Sequence, residues 1–203
     1  TITVRQLLQH TAGVYNYTND GAFMTQMVQN PMPVEPQVMV DVAISHGADF
    51  PPGTDWNYSN TGYILLGMIL EQAAGTSAAE EIRMRMLAPH GLDRTFLDGE
   101  EPLPEPLAKG WGAGQADHTN LLHPSVPWTA GSMVAEVGDL VDWADALYDG
   151  NAISAAALTQ MLDAYAFGNG AGYGLGVEIG TSSTGGGYIG HSGGIPGFLT
   201  LMY

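Results

Sequence analysis

Up to about residue 165, apolar residues recur at three- and four-residue spacing. Beyond it they alternate with glycine and polar residues, so a block of helices precedes a block of strands. Thr3 with Gln6 three places on forms a capping box that opens a short helix through Leu7 and Leu8, with Gly13 as its stop. Residues 20–29 and 36–46 predict two further helices, Pro36 suiting a first helical position and Gly47 a terminator. Past the rigid Phe50-Pro51-Pro52-Gly53 turn, Asn60 is placed to cap a helix over residues 60–74. Its expected buried face is Tyr63, Leu66, Leu70 and Ala73, and Gly75 ends it. Ser77 with Glu80 caps the next helix, which carries Ile82, Met86 and Leu87. Residues 135–148 are amphipathic, with Val137, Leu140, Val141, Ala144 and Leu147 expected to face a core, and Ser154 caps a last helix to about residue 165. Strands are expected at 173–179, 188–191 and 198–203, with residues 181–187 as a hairpin loop. The fold class is therefore α+β: a mainly helical domain over residues 1–165, containing a long Pro/Gly-rich loop at 98–127, and an antiparallel β-meander over 166–203.

Composition narrows the function classes. Twenty-one acids against five bases give a formal charge of −16, which repels nucleic acid and anionic membranes and reads as a well-solvated surface. There is no cysteine, so disulfides, thiolate metal sites and a cysteine nucleophile are excluded. No apolar run approaches the roughly 18 residues of a membrane span. The chain starts without Met or a signal-peptide pattern and stops inside a β-prone apolar run, so both ends read as cut.

Two short polar motifs carry the chemistry: Tyr58-Ser59-Asn60 before a helix and His191-Ser192-Gly193 on a strand. Gly190-His191-Ser192-Gly193-Gly194 also fits the nucleophile elbow of α/β-hydrolases. That elbow needs a helix directly after the serine and acid and histidine partners further on, and no Asp or His follows Ser192. In an acyl-transfer site, Tyr58 would be a base, Asn60 an orienting carboxamide, and the glycines after His191 a surface along which substrate lies. The structural alternatives are a buried aromatic beside a helix cap at Tyr58 and a turn or core residue at His191. Trp128 lines a pocket or packs in the core. His118 and His123 have poor zinc spacing, and His10, His46 and His90 sit near helix ends without implied function, so neither metal nor cofactor is expected.

In their order, residues 2–13, Pro52-Gly53 leading to Tyr58-Ser59-Asn60, residues 15–20 and 130–147, Tyr173-Gly174-Leu175-Gly176 and Gly190-His191-Ser192-Gly193 resemble the serine β-lactamase and penicillin-binding-protein superfamily. The D-alanyl-D-alanine carboxypeptidase and β-lactamase-like esterase branches are most similar. The resemblance implies a partial β-lactamase/DD-peptidase-like fold, with a helical domain packed on an antiparallel sheet and the cleft between them. It implies catalytic roles for Tyr58 (general base), Asn60 and His191, and substrate contacts from Ser192, Gly193, Gly194 and Trp128, the last an aromatic near the cleft mouth. It also implies a small-molecule or peptide substrate and a periplasmic or extracellular location; oligomeric state is left open.

The chain departs from the family pattern at three points. The Ser-x-x-Lys nucleophile motif belongs upstream of residue 2, and the only lysine, Lys109, has Pro106 three places before it. The family's last strands and terminal helix are expected beyond Tyr203. Where carboxypeptidases hold a terminal carboxylate with an arginine, the strand near the third motif carries Glu178, and no Lys or Arg follows Lys109. A serine hydrolase acting through an acyl-enzyme on amide, β-lactam or ester substrates is expected, with this chain alone inactive. The competing expectation is a non-catalytic binding or scaffold relative.

Overall fold

A computed structural model describes residues 1–203. The helix starts follow from side-chain caps. In α1 (Val4–Leu8) the Gln6 amide donates to Thr3 Oγ1 at 3.3 Å while the Thr3 amide donates to Gln6 Oε1 at 2.9 Å. Asp20 caps α2 (Gly21–Gln29) by accepting from Ala22 and Phe23. The next helix, α3 (Pro36–His46), starts on its proline and ends at Gly47, whose φ of 81° lies in the left-handed region. α4 (Asn60–Ala74) follows Ser59 and stops at the left-handed Gly75. A second capping box, Ser77 with Glu80, opens α5 (Ala78–Ile82), which runs on into a π-helical turn over Arg83–Leu87.

Not all helical faces fall where the pattern places them. On α4 the buried positions are Thr61, Gly62, Ile64 and Gly67, while Tyr63, Leu66 and Leu70 are half-buried and Ala73 is exposed. Small residues decide this. A Cβ on Gly62 would stand 3.3 Å from the Leu7 carbonyl, and one on Gly67 only 2.3 Å from Thr129 Oγ1, so α1 and the 128–130 turn both close onto α4 there. The same core holds Tyr17, Phe23, Met27, Met39, Val40, Leu97, Val126 and Trp128, with the Tyr17 phenol donating to the Val126 carbonyl at 2.7 Å. On α6 (Val137–Tyr148) Leu147 is buried and Leu140 and Ala144 are half-buried, while Val137 and Val141 are 75% and 56% exposed, so the expected core-facing stripe forms only in part.

Residues 98–127 are mostly loop, as expected, with one 3₁₀ turn at Ala113–Gln115. The pattern missed a two-stranded antiparallel sheet of β1 (Thr95–Leu97) and β2 (Met133–Ala135), three residues each and too short to show a period. Helix α7 (Ala155–Met161), capped by Ser154, ends four residues earlier than expected, and Tyr165 begins a strand instead. Five strands then form an antiparallel meander in chain order: β3 (Tyr165–Gly168), β4 (Ala171–Tyr173), β5 (Glu178–Thr181), β6 (Gly187–Ile195) and β7 (Phe198–Met202). The expected single strand over 173–179 is split by a turn. The Gly174 amide bonds the Val177 carbonyl at 2.8 Å and Gly176 takes a φ of 80°.

One short segment ties helices to sheet. The Arg5 guanidinium donates to Gln160 Oε1, Gln9 Nε2 donates to the Asp163 carbonyl at 2.8 Å and more weakly to the Tyr173 carbonyl, and the His10 ring lies against Tyr173. Residues 5–10 thereby touch both halves of the molecule.

Candidate active site

Tyr58 and Asn60 reach their places because the chain after α1 grips the residues before α4. The His10 carbonyl accepts the Asn57 amide at 3.1 Å, and His10 Nδ1 accepts the Ser59 amide at 3.1 Å. With Nδ1 an acceptor, the proton of this neutral imidazole sits on Nε2. The ring is 2% exposed and packed at tilted angles among Tyr58, Tyr63 and Tyr173, with centroids at 4.2, 5.3 and 4.7 Å. Burial, with His191 adding repulsion, pushes its pKa down to about 3, so it stays neutral and acts as packing and an acceptor.

Asn60 occupies the first turn of α4. Its Nδ2 lies 3.4 Å from Asn16 Oδ1 and 3.3 Å from Thr18 Oγ1, and its amide donates to Asn16 Oδ1 at 3.2 Å. The buried Asn16 thus fixes the carboxamide.

His191 comes from β6. Its Nδ1 meets the Ser192 carbonyl at 2.5 Å, which requires a proton on Nδ1, and in the neutral ring Nε2 then accepts from the Tyr173 phenol at 2.9 Å. Burial, followed by neighbouring phenols, holds the Tyr173 pKa far above the ordinary value, which keeps that phenol a donor. The Tyr58 and His191 rings lie 6.2 Å apart between centroids, with Tyr173 edge-on to both. A phenol from the helical half and an imidazole from the sheet half therefore face each other around Tyr173. Burial first, and then Glu178, push the Tyr58 phenol above its usual pKa.

Ser192, Gly193 and Gly194 continue β6 past this point and are exposed. The β5–β6 ladder ends at the Glu178–Gly190 pair, whereas β6 goes on pairing with β7 from His191 to Ile195. No loop backbone bond reaches residues 191–195, so this stretch presents one free strand edge beside His191. Ser192 Oγ donates to Glu178 Oε1 at 3.3 Å.

Trp128 does not join this group. It is 4% exposed in the helical core, its indole N–H donating to Glu100 at 3.1 Å, which corrects the expectation of an aromatic at a cleft mouth. His10 and Tyr173 join the group through partners 49 and 18 residues away, which no local sequence pattern signals. A broad, open surface depression of about 700 Å³ lies elsewhere, between the start of α3 and the end of α4, and contains none of the motif residues. No cluster of His, Asp and Glu suited to a metal occurs.

An α+β chain with Tyr-x-Asn at a helix start, set against a His-Ser-Gly strand with a free edge, agrees with the serine β-lactamase and penicillin-binding-protein superfamily that the sequence resembles. The chain belongs to the beta-lactamase family, whose model matches residues 1–203. It is 31% identical to penicillin-binding protein 4* of Bacillus subtilis (strain 168), over 99% of this chain and 48% of the relative. It superimposes on a D-stereospecific amidohydrolase from Streptomyces sp. with a TM-score of 0.90 and 34% identity, covering 98% of this chain and 63% of that one. The D-amino acid amidase of Ochrobactrum anthropi SV3, solved with D-phenylalanine, gives a TM-score of 0.86 at 28% identity, over 98% of this chain and 60% of that one. The chain thus spans about half the length of that curated relative. No helix is long and apolar enough to cross a membrane.

Proposed function

We propose that the protein to which this chain belongs is a serine-type hydrolase that cleaves amide or ester bonds, β-lactams included, through an acyl-enzyme. The observation that carries the reading is the 6.2 Å approach of Tyr58 to His191 beside the free edge of residues 191–195. In this reading a serine and a lysine supplied by the rest of the protein attack and relay the proton. Tyr58 takes the nucleophile's proton and returns one to the leaving group, which requires a cation nearby to bring its raised pKa down. Asn60, held by Asn16 and Thr18, orients the substrate amide. The Gly194 amide on the free edge of β6 binds the developing oxyanion, and Gly193, with no side chain, lets the substrate backbone lie against the strand. His191, fixed by Tyr173 and the Ser192 carbonyl, closes the sheet side. Water then releases the acyl group. A periplasmic or extracellular location belongs to the same reading, by the family resemblance.

The test is labelling of the full-length protein with a fluorescent penicillin and with a p-nitrophenyl ester. Wild type is expected to acylate, and Tyr58→Phe to slow acylation about 100-fold or more while its circular dichroism is unchanged. Acylation at the wild-type rate by the phenylalanine variant removes Tyr58 from the mechanism. Absence of any acylation by wild type favours a binding or scaffold protein on the same fold.

A further inference from the structure

Resting on that reading of the site, the geometry points to Glu178 as the residue that sets substrate charge. We propose that it selects substrates carrying a protonated amine near the scissile carbonyl, such as amino acid amides and esters with a free amino group, over substrates that end in a carboxylate. Glu178 opens β5 and pairs with Gly190, the residue before His191, so its carboxylate stands where the ladder ends and the free edge of β6 begins. Its Oε1 accepts from Ser192 Oγ at 3.3 Å and its Oε2 from the Tyr203 hydroxyl at 2.7 Å. Each oxygen keeps a further lone pair, enough for two N–H groups of one ammonium.

Within these 203 residues no cation neutralises Glu178. Arg5 pairs with Asp163, Arg83 with Glu101, Arg85 with Glu81, Arg94 with Glu136 and Lys109 with Asp117, which accounts for all five bases. A carboxylate arriving along the edge would meet a like charge there, whereas an ammonium would gain two charge-assisted bonds. The same cation would act on the base. Glu178 is among the groups that hold the Tyr58 phenol protonated, and an ammonium seated on Glu178 offsets that repulsion. Substrates with a free amine then help generate the base that cleaves them, and N-capped substrates do not.

The experiment measures calorimetric binding of D-phenylalaninamide, N-acetyl-D-phenylalaninamide and N-acetyl-D-phenylalanine to the full-length protein. Hydrolysis of p-nitrophenyl acetate is followed in parallel. Wild type is expected to bind the free amine at least about tenfold more tightly than the acetylated amide, and the carboxylate least, a modest factor because the site is open to water. Glu178→Gln should bring the first ratio close to one. Glu178→Arg should favour the carboxylate, which keeps the inference testable if the glutamine variant folds poorly. Equal affinities in wild type (undetectable binding of all three included), or a preference that survives Glu178→Gln, overturns it. Loss of ester hydrolysis alone, with the binding preference intact, would overturn the hydrolase reading and leave the charge selection standing.

Discussion

At the scale of single residues, His10 shows how a buried group can matter without reacting. Its Nδ1 takes the Ser59 amide, and its pKa falls to about 3 from an ordinary 6.5 because the ring is buried. In the unfolded chain it protonates near 6.5, so between that pH and about 3 the unfolded state binds the extra proton. Stability therefore falls as pH drops through this window, by up to on the order of 1.4 kcal/mol per pH unit. In His10→Asn, the amide oxygen can replace Nδ1 as acceptor and no group titrates. The variant is expected to be less stable at pH 7 yet to lose stability less steeply between pH 6.5 and 4. Urea midpoints measured across that range check it, and parallel slopes for the two proteins would mean that His10 is not held neutral. Nothing in the sequence near His10 announced this role, because the partners that create it are brought in only by the fold. Tyr58, Asn60 and His191 were legible as motifs, since their residue types and order are local facts. Glu178 was legible as a charge in an unexpected place, but its two hydroxyl donors were not.

Among the elements, starts were easier to read than faces. Thr3 with Gln6, Asp20, and Ser77 with Glu80 bond within three residues of themselves, and Pro36 acts through its own fixed φ, so the sequence alone contains the whole signal. The buried side of α4 depends instead on what lies against it. Two glycines let α1 and the 128–130 turn approach, and the bulkier stripe is left half-buried. Gly67→Ala sets two effects in opposition. Helix propensity favours alanine by about 1 kcal/mol, but the new methyl would sit 2.3 Å from Thr129 Oγ1 and 2.8 Å from the Trp128 ring. Thr129 Oγ1 is tied to the Tyr63 carbonyl at 2.9 Å and Trp128 is in the core, so neither can swing away cheaply. Overpacking of this kind costs about 1–3 kcal/mol, so after the propensity gain a net loss of up to about 2 kcal/mol is expected from urea unfolding. A more stable variant would show that the turn shifts freely.

For the molecule as a whole, charge is the dominant long-range term. Five bases, each already paired with an acid, leave a net charge of −16 whose self-repulsion weakens the compact state. Raising NaCl from 0.1 to 1 M shortens the screening length from about 10 Å to about 3 Å. Each 1 kcal/mol regained corresponds to about 2–4 °C in Tm for a chain of this size. A thermal scan should therefore shift upward with NaCl, and a Tm indifferent to NaCl would mean that the acids are too well spread to repel. The strap of residues 5–10 has a wider consequence. It holds α7 and β4 through Arg5 and Gln9 and the approach to α4 through His10, whose ring lies against Tyr58, so it gauges the gap between Tyr58 and His191. Grafting residues 52–60 from a relative without its matching strap would import a phenol hung at the wrong height. Changes confined to the strap would alter the spacing of Tyr58 and His191 with both side chains left as they are.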